Sequence, residues 1–250
     1  MNGPLPDWTP SQAPGLSAEG LRARKKRLMR QQLSDTATAM FLARGFDGVR
    51  VAEVGAACGV SEKTVFNYFP VKEGLVMDRL EVTLSALSAG LSDPGRTPVQ
   101  AVLAVLDQEL GAMTGLLAAQ ENAPMAREAF RRFGDLIRAT PALRAYMADM
   151  TDQAAAAAAG ILAVRAGMTA DDPEPQIAAR ALLGLWRVQA DSVRRHLDRA
   201  ATPALLHERV AADVQRAARL IDAGLRTFDA QDRAAAGKPA RRRPRPDRRS

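Results

Sequence analysis

The side chains best suited to chemistry in this chain are hydrogen-bonding groups clustered between Ser61 and Lys72. Lys63 can donate to the O6 and N7 atoms of guanine, and Asn67 can form a pair of hydrogen bonds with adenine. Catalysis is not indicated, because no paired carboxylates, no Ser/His/Asp or Cys/His arrangement and no glycine-rich phosphate loop stand out in the sequence. The residue types therefore favour binding to DNA over an enzymatic reaction.

A helix-turn-helix at residues 50–69 is predicted to position these groups. Val51 and Val54 begin an apolar spacing of three residues in its first helix, and Gly59 supplies a turn position where a positive φ is tolerated. Ser61 is a good N-cap for the second helix. Two short helices joined by a glycine turn are typical of a DNA-binding motif.

The second helix of this motif divides into an inner and an outer face. Val65 and Phe69 are four residues apart and are predicted to point inward. The outer face includes two aromatic side chains, which suit contact with a nucleic-acid backbone better than exposure to water. A helix in the major groove reads bases with the side chains near its N-terminus. The outer residues are Glu62, Lys63, Phe66, Asn67 and Tyr68, with Ser61 and Thr64 at the N-terminal end.

Positive charge is concentrated in two parts of the chain, whose 250 residues carry a formal net charge of +7. Residues 20–75 contain ten basic and five acidic side chains, and residues 238–250 contain seven basic and one acidic. The remainder is net negative, so the basic segments are predicted to face a polyanion. The groups expected to position DNA by its backbone, and not to read its sequence, are Arg24, Lys25, Arg50, Tyr68 and Lys72.

The composition predicts an all-α fold. The chain is 47% hydrophobic but only 4% aromatic, it is rich in alanine, leucine and arginine, and no alternating strand pattern stands out. The single cysteine, Cys58, excludes an internal disulfide, and His196 and His207 are too few for a typical zinc site, so no cofactor or metal is predicted. We find no signal peptide and no apolar run of the roughly 20 residues that span a membrane, so we expect a cytoplasmic protein.

Apolar spacing and helix-ending residues predict further helices on either side of the motif. Gly45 ends the first, and Thr140-Pro141 and Thr202-Pro203 each place an N-cap before a proline at the first helical position. The predicted helices outside the motif are 20–44, 71–91, 98–119, 123–139, 141–166, 176–200 and 203–228.

Residues 24–80 resemble the DNA-binding domain of the TetR/AcrR family of one-component transcriptional regulators. The resemblance is specific because many positions match at fixed offsets, whereas the rest of the chain fits the family only in helix count and order. The matching segments are Gly45-Phe46, Gly59-Val60-Ser61, the run from Thr64 to Phe69, and Lys72-Glu73-Gly74-Leu75.

The family resemblance also implies roles for individual positions and for the whole protein. It implies a homodimer that binds a palindromic double-stranded DNA operator and answers to a small-molecule effector. The implied contacts are Lys63, Thr64 and Asn67 on base edges, Glu62 at the rim, and Tyr68 and Lys72 on phosphates.

Two positions depart from the family pattern. The first helix of the motif usually begins with a Ser or Thr cap that contacts phosphate, but Arg50 stands there, which leaves Glu53 as half of a capping box. Phe66 replaces a common tyrosine, so a hydroxyl contact is lost and apolar contact with a thymine methyl or a sugar is the alternative.

The effector is predicted to bind among the helices between residues 98 and 200, where the resemblance implies a ligand cavity. Methionine and aromatic side chains are more often ordinary core, but methionine suits a pliable apolar site, and their place on these helices favours a pocket. An apolar or acyl-bearing small molecule is the predicted class. The predicted pocket residues are Met113, Met125, Phe130, Phe133, Met147, Met150 and Trp186.

The last two predicted helices carry apolar stripes at near-heptad spacing, which is typical of a helical bundle between subunits. The predicted interface residues are Leu182, Leu185, Val193, Leu206, Val210, Val214 and Ile221.

These observations divide the chain into four predicted segments. They are a disordered N-terminal arm (1–19), a helix-turn-helix domain (20–75), a helical ligand-binding and dimerisation domain (76–229) and a disordered basic tail (230–250). The tail could bind DNA without sequence preference or could aid solubility. An architectural DNA-binding protein dominated by this tail is therefore the alternative to a ligand-released repressor, and repression is not distinguished from activation.

Overall fold

The structure is a computed structural model that describes residues 20–222 and residue 224. These residues form nine α-helices and no strand, which confirms the predicted all-α fold. The predicted disordered segments, 1–19 and 230–250, lie outside the described residues. The helices are α1 (Leu21–Arg44), α2 (Val51–Ala57), α3 (Glu62–Tyr68), α4 (Gly74–Leu91), α5 (Pro98–Ala119), α6 (Ala123–Ala139), α7 (Pro141–Ala166), α8 (Pro173–His196) and α9 (Pro203–Asp222).

Most predicted helix boundaries are confirmed, because the residues that begin and end a helix lie close to its ends in the sequence. The hydroxyl of Thr97 accepts from the backbone N–H of Gln100 at the start of α5, and the hydroxyl of Thr202 accepts from that of Leu205 in α9. Helix α7 ends at Gly167, whose φ of +68° is left-handed. Helix α8 begins three residues earlier than predicted, because prolines are tolerated in the first turn of a helix.

The first three helices enclose a small apolar core. The rings of Phe41 and Phe46 lie 5.1 Å apart between centroids, and both side chains are buried. Val54, Val65 and Phe69 are buried against them, as the sequence predicts. We call α1, α2 and α3 the DNA-binding unit, and α4 to α9 the C-terminal bundle.

Arg30 of α1 connects the DNA-binding unit to α4. Its guanidinium donates to Asp78 and to Glu81 on α4, at 2.6 Å in each case, and to the carbonyl of Tyr68 at the end of α3, at 3.0 Å. It also lies 4.5 Å from the centre of the Phe69 ring. Helix α4 and the end of α3 are therefore held by one side chain.

The C-terminal bundle buries a continuous apolar core that is mainly leucine and alanine. Helix α5 runs through it and packs against α4, α6, α8 and α9. By length and composition α5 could cross a membrane, contrary to the sequence prediction, but core helices of this kind meet the same criterion. Arg165 of α7 donates to the carbonyl of Leu91 at 2.9 Å, which satisfies the C-terminus of α4.

Most of the residues predicted for the dimer interface lie in the core of the single chain. Five of the seven side chains are at most 3% exposed within a single chain, so they are part of its own core and present no surface to a second copy. Helices α8 and α9 pack against each other and against α5, and α8 also packs against α7. This packing uses the most apolar stripe of each helix. The buried residues are Leu182, Leu185, Leu206, Val210 and Val214, whereas Val193 and Ile221 are half-buried.

Candidate DNA-binding surface

The turn between α2 and α3 is set by two glycines. Gly59 has a φ of +70°, a conformation that costs glycine nothing. Gly55 lies inside α2, where a Cβ would come within 2.9 Å of the backbone oxygen of Val60. The backbone N–H of Val60 donates to the carbonyl of Gly55 at 2.9 Å, so the chain crosses α2 at close range as it enters α3.

The N-terminus of α3 is capped as predicted. The Ser61 hydroxyl accepts from the backbone N–H of Thr64 at 3.1 Å, and the hydroxyls of the two residues lie 2.9 Å apart. Val65 is fully buried on the opposite face. The cap and this buried side chain together fix the rotation of α3, and thus the side chains that it presents to solvent.

The predicted outer face of α3 is exposed in the structure. Phe66 is 41% exposed, an unusual fraction for a large aromatic side chain on a short helix. Thr64 and Tyr68 are half-buried at its edges. The structure thus places the predicted base-contacting and rim residues on one accessible surface; their contacts with DNA stay predictions. The exposed residues are Ser61, Glu62, Lys63, Phe66 and Asn67.

Glu53 compensates for the unusual residue at the N-cap of α2. Its carboxylate accepts from the backbone N–H of Arg50 at 2.7 Å, which is the predicted half of a capping box. It also accepts from Arg44 at 2.9 Å through both oxygens. These hydrogen bonds, first from Arg50 and then from Arg44, hold the pKa of Glu53 below its ordinary value. The Arg50 side chain itself is 88% exposed, in a position to reach outward.

Lys72 has a structural role that the sequence did not reveal. Its ammonium donates to the carbonyl of Phe46 at 2.6 Å and lies 4.3 Å from the centre of that ring and 5.5 Å from that of Phe41. Lys72 thus fastens the start of α4 to the joint between α1 and α2. Its predicted phosphate contact stays a prediction, and so do those of Arg24 and Lys25, which are exposed in the first turns of α1.

The predicted pocket residues differ in exposure. Met125 is 57% exposed at the start of α6. The other six are half-buried: Met113, Phe130, Phe133, Met147, Met150 and Trp186. A cleft of about 270 Å³ lies elsewhere, between α1 and α6, and none of these residues lines it.

Sequence reasoning missed one polar cluster near two of the predicted pocket residues. Glu109 of α5 lies one helical turn before Met113, and its carboxylate is hydrogen-bonded by Thr83, Trp186 and Gln189. Burial raises the pKa of Glu109, an effect that those three hydrogen bonds partly offset. The sequence did contain a signal for this cluster, namely a charged residue on an apolar stripe. Position 109 lies on the stripe of α5 that includes positions 106 and 113.

Two family matches together cover most of the described residues. Residues 33–78 match the family described as bacterial regulatory proteins, tetR family. Residues 99–224 match the family described as the MftR C-terminal domain. The chain is also similar to the HTH-type transcriptional regulator TcmR of Streptomyces glaucescens, with 30% identity over 167 residues, which is 66% of this chain and 72% of that protein.

One solved structure, from Mesorhizobium loti, is described as that of a TetR-family transcriptional regulator. It has 20% sequence identity, covers 81% of this chain and 98% of its own, and has a TM-score of 0.36. At that score the structural likeness adds nothing to the sequence matches.

Proposed function

The chain belongs to the TetR family of transcriptional regulators, and on that basis we propose that it is a cytoplasmic, homodimeric repressor. In this proposal two copies bind a palindromic operator, and a small-molecule effector that binds the C-terminal bundle releases them. The observation that carries the proposal is the exposed outer face of α3, with its polar side chains and Phe66, held in place by the Ser61 cap and by buried Val65.

The proposed reading of DNA uses α3 in the major groove. Lys63 donates to a guanine and Asn67 bonds an adenine, each contributing about 1 to 3 kcal/mol of discrimination. Phe66 contacts a thymine methyl or a sugar. The exposed cations Arg24, Lys25 and Arg50 contact phosphates and set the register of the protein on the duplex.

The proposed dimer surface is a different face of α8 from the one predicted from sequence. Ile177 is 67% exposed, and the half-buried residues Ala181, Gly184 and Val188 follow it at spacings of four, three and four residues. This is the seam spacing of paired helices. A Cβ on Gly184 would meet no atom within 4 Å, so no contact within the described chain explains a glycine there. Close approach of a helix from a second copy would explain a glycine at this position.

Effector release is proposed to act through α4. Arg30 bonds α4 and also the carbonyl of Tyr68, so a shift of α4 is transmitted to the end of α3. Two α3 helices must lie about 34 to 36 Å apart to enter successive major grooves on one side of the duplex. A ligand that binds better to a dimer with a different spacing therefore lowers operator affinity.

Selection from a pool of random-sequence duplexes, followed by footprinting of the enriched sequence, tests the proposal. A repressor of this kind enriches a short palindrome and protects it. Uniform recovery of all sequences would instead favour the architectural alternative, in which the basic tail dominates. Protection of a single half-site would contradict the dimer.

A further inference from the structure

The polar cluster around Glu109 joins three helices of the C-terminal bundle. Its carboxylate accepts from the hydroxyl of Thr83 on α4 at 3.2 Å and from the side-chain amide of Gln189 on α8, also at 3.2 Å. The side chain of Trp186 on α8 donates to it as well. Thr83 and Gln189 are 8% and 5% exposed, so the carboxylate lies among buried polar groups.

All three groups that bond the Glu109 carboxylate are electrically neutral. Burying a carboxylate without an opposite charge is costly, and apolar residues of similar volume usually stabilise a core at least as well. Elsewhere in the described bundle Asp213, whose side chain is 11% exposed, does have cations: it accepts from Arg195 at 3.0 Å and from Arg216 at 2.6 Å. Glu109 is the contrasting case, in which the described residues that bond the carboxylate supply no counterion.

The surroundings of Glu109 have the composition of a small-molecule site. Such sites are mostly apolar, with a few convergent polar groups that orient the ligand. Here Met113 and Trp186 supply apolar and aromatic surface, and both are half-buried, as is Glu109. A carboxylate accepts up to about four hydrogen bonds, so three donors leave it able to accept another.

We propose that Glu109, Thr83, Gln189 and Trp186 anchor the effector, and that the effector carries a basic nitrogen attached to an apolar body. The protonated nitrogen supplies the counterion that the Glu109 carboxylate lacks, and the indole of Trp186 lies beside the cation. This inference rests on the proposed function, since it names the chemical class that the C-terminal bundle senses. It replaces the acyl-bearing class expected from sequence with a cationic one.

The cluster is also connected to the recognition helix. Thr83 lies on α4 five positions after Asp78, which bonds Arg30, and Arg30 in turn bonds the carbonyl of Tyr68 at the end of α3. A cation that draws Glu109 away from Thr83 removes one of the polar bonds that hold α4 to α5. Binding of the effector is therefore communicated to α4 and, through Arg30, to the DNA-binding unit.

A matched pair of probes tests the proposal on the full-length protein. Cyclohexylmethylamine and cyclohexylmethanol share an apolar body that does not absorb near-ultraviolet light, and only the first carries a charge near neutral pH. The chain has two tryptophans, Trp8 and Trp186. A Trp8→Phe background therefore makes Trp186 the sole source of indole fluorescence, and titration of each compound then reports binding beside Glu109.

The amine is expected to bind at least about ten-fold more tightly than the alcohol, as a charge-assisted hydrogen bond would provide. In the same background Glu109→Gln, which keeps the shape and removes the charge, should abolish that preference. Asp107→Asn, a neutralised and exposed carboxylate on the same helix, should retain it. Absence of amine binding, equal binding of the two compounds, or a preference that survives Glu109→Gln would overturn the proposal.

These titrations need no DNA, so a negative result would overturn the proposed effector class without overturning the proposed repressor function. A protein that enriches a palindrome but ignores the amine is a regulator with another effector class. Circular dichroism and urea unfolding of Glu109→Gln show whether loss of binding reflects loss of fold. A second variant, Thr83→Val, keeps the Glu109 charge and removes one neutral donor, so it should still prefer the amine.

Discussion

The side chains that shape the helix-turn-helix and the two partly buried carboxylates of the C-terminal bundle use their hydrogen bonds differently. In the first, side chains bond the backbone: Ser61 accepts from a backbone N–H, Glu53 does the same, and Lys72 donates to a carbonyl. In the second, Glu109 and Asp213 bond mainly other side chains, which come from different helices. Bonds to the backbone fix the geometry of a turn, whereas side-chain bonds between helices can rearrange. The first arrangement suits a rigid reader of DNA, and the second suits the effector sensor proposed above.

Two glycine substitutions should show that the DNA-binding unit is more tightly packed than helix α5 of the C-terminal bundle. Gly55→Ala places a Cβ 2.9 Å from the backbone oxygen of Val60, where neither atom can move without shifting α3. We expect a loss of about 1 to 3 kcal/mol in the free energy of unfolding. Gly115→Ala in α5 meets no atom within 4 Å and should stabilise by about 1 kcal/mol.

Urea unfolding of both glycine variants, followed by far-UV circular dichroism, measures the difference. Equal effects in the two variants would mean that the DNA-binding unit is no more tightly packed than α5.

Removal of the Lys72 ammonium should weaken the joint between the DNA-binding unit and α4. Lys72→Met keeps most of the aliphatic chain but leaves the Phe46 carbonyl without this donor and removes the cation from two rings. The expected loss is about 1 to 2 kcal/mol in thermal or urea unfolding. Lys63→Met, at an exposed position, is the matched control and should change stability by less than about 0.5 kcal/mol. If both variants unfold alike, Lys72 has no structural role.

A charge on the outer face of α8 should break the proposed dimer without unfolding the chain. Ile177→Glu is expected to weaken association at least about ten-fold, because a seam position would bury an unpaired carboxylate. Val82→Glu on α4 replaces another exposed apolar residue, 59% exposed, and should leave association unchanged. Sedimentation velocity over a range of concentrations measures both. An Ile177→Glu variant that remains dimeric would locate the interface elsewhere.

Stability should depend on pH in opposite directions at the two bundle carboxylates. Burial raises the pKa of Glu109, so the folded state favours the protonated carboxyl. The resulting contribution to the free energy of unfolding is complete at acidic pH and is lost as the pH rises through that raised value. Hydrogen bonds, first from Ser192, lower the pKa of Asp213, so its contribution is present at neutral pH and is lost as the pH falls. The free energy of unfolding of Glu109→Gln, measured relative to that of the unaltered chain, should therefore be higher at pH 8 than at pH 4. The same difference for Asp213→Asn should be lower at pH 8 than at pH 4.

Urea unfolding of these variants at both pH values gives the signs. A Glu109→Gln variant whose stability runs parallel to that of the unaltered chain at both pH values would show that this carboxyl has an ordinary pKa.

Local chemistry made the DNA-binding unit predictable. Gly59 and Ser61 act within a few residues of themselves, so their turn and cap follow from sequence alone, as do most helix boundaries. Partners distant in sequence were not predictable. Lys72 bonds a carbonyl 26 residues away, and Gln189 bonds a carboxylate 80 residues away.

The proposed dimer surface shows the same limit of prediction from sequence. Helix α8 has an apolar stripe that faces its own chain and a second, weaker stripe that begins at Ile177. Periodicity detects the stronger stripe, which is the one that the single chain buries first. Val214→Glu, which would disrupt a dimer if the side chain lay at the surface, is instead expected to unfold the chain, because Val214 is 3% exposed.

Parallel selection of DNA by the unaltered protein and by Lys63→Ala tests the central claim most directly. We expect the unaltered protein to enrich a two-fold symmetric sequence, and Lys63→Ala to lose preference at the same guanine in both half-sites while the rest of the sequence is retained. Arg24→Ala should keep the complete sequence and weaken its salt dependence by about one unit of slope. An identical sequence from Lys63→Ala, or no enriched sequence from the unaltered protein, would contradict the claim that α3 reads DNA.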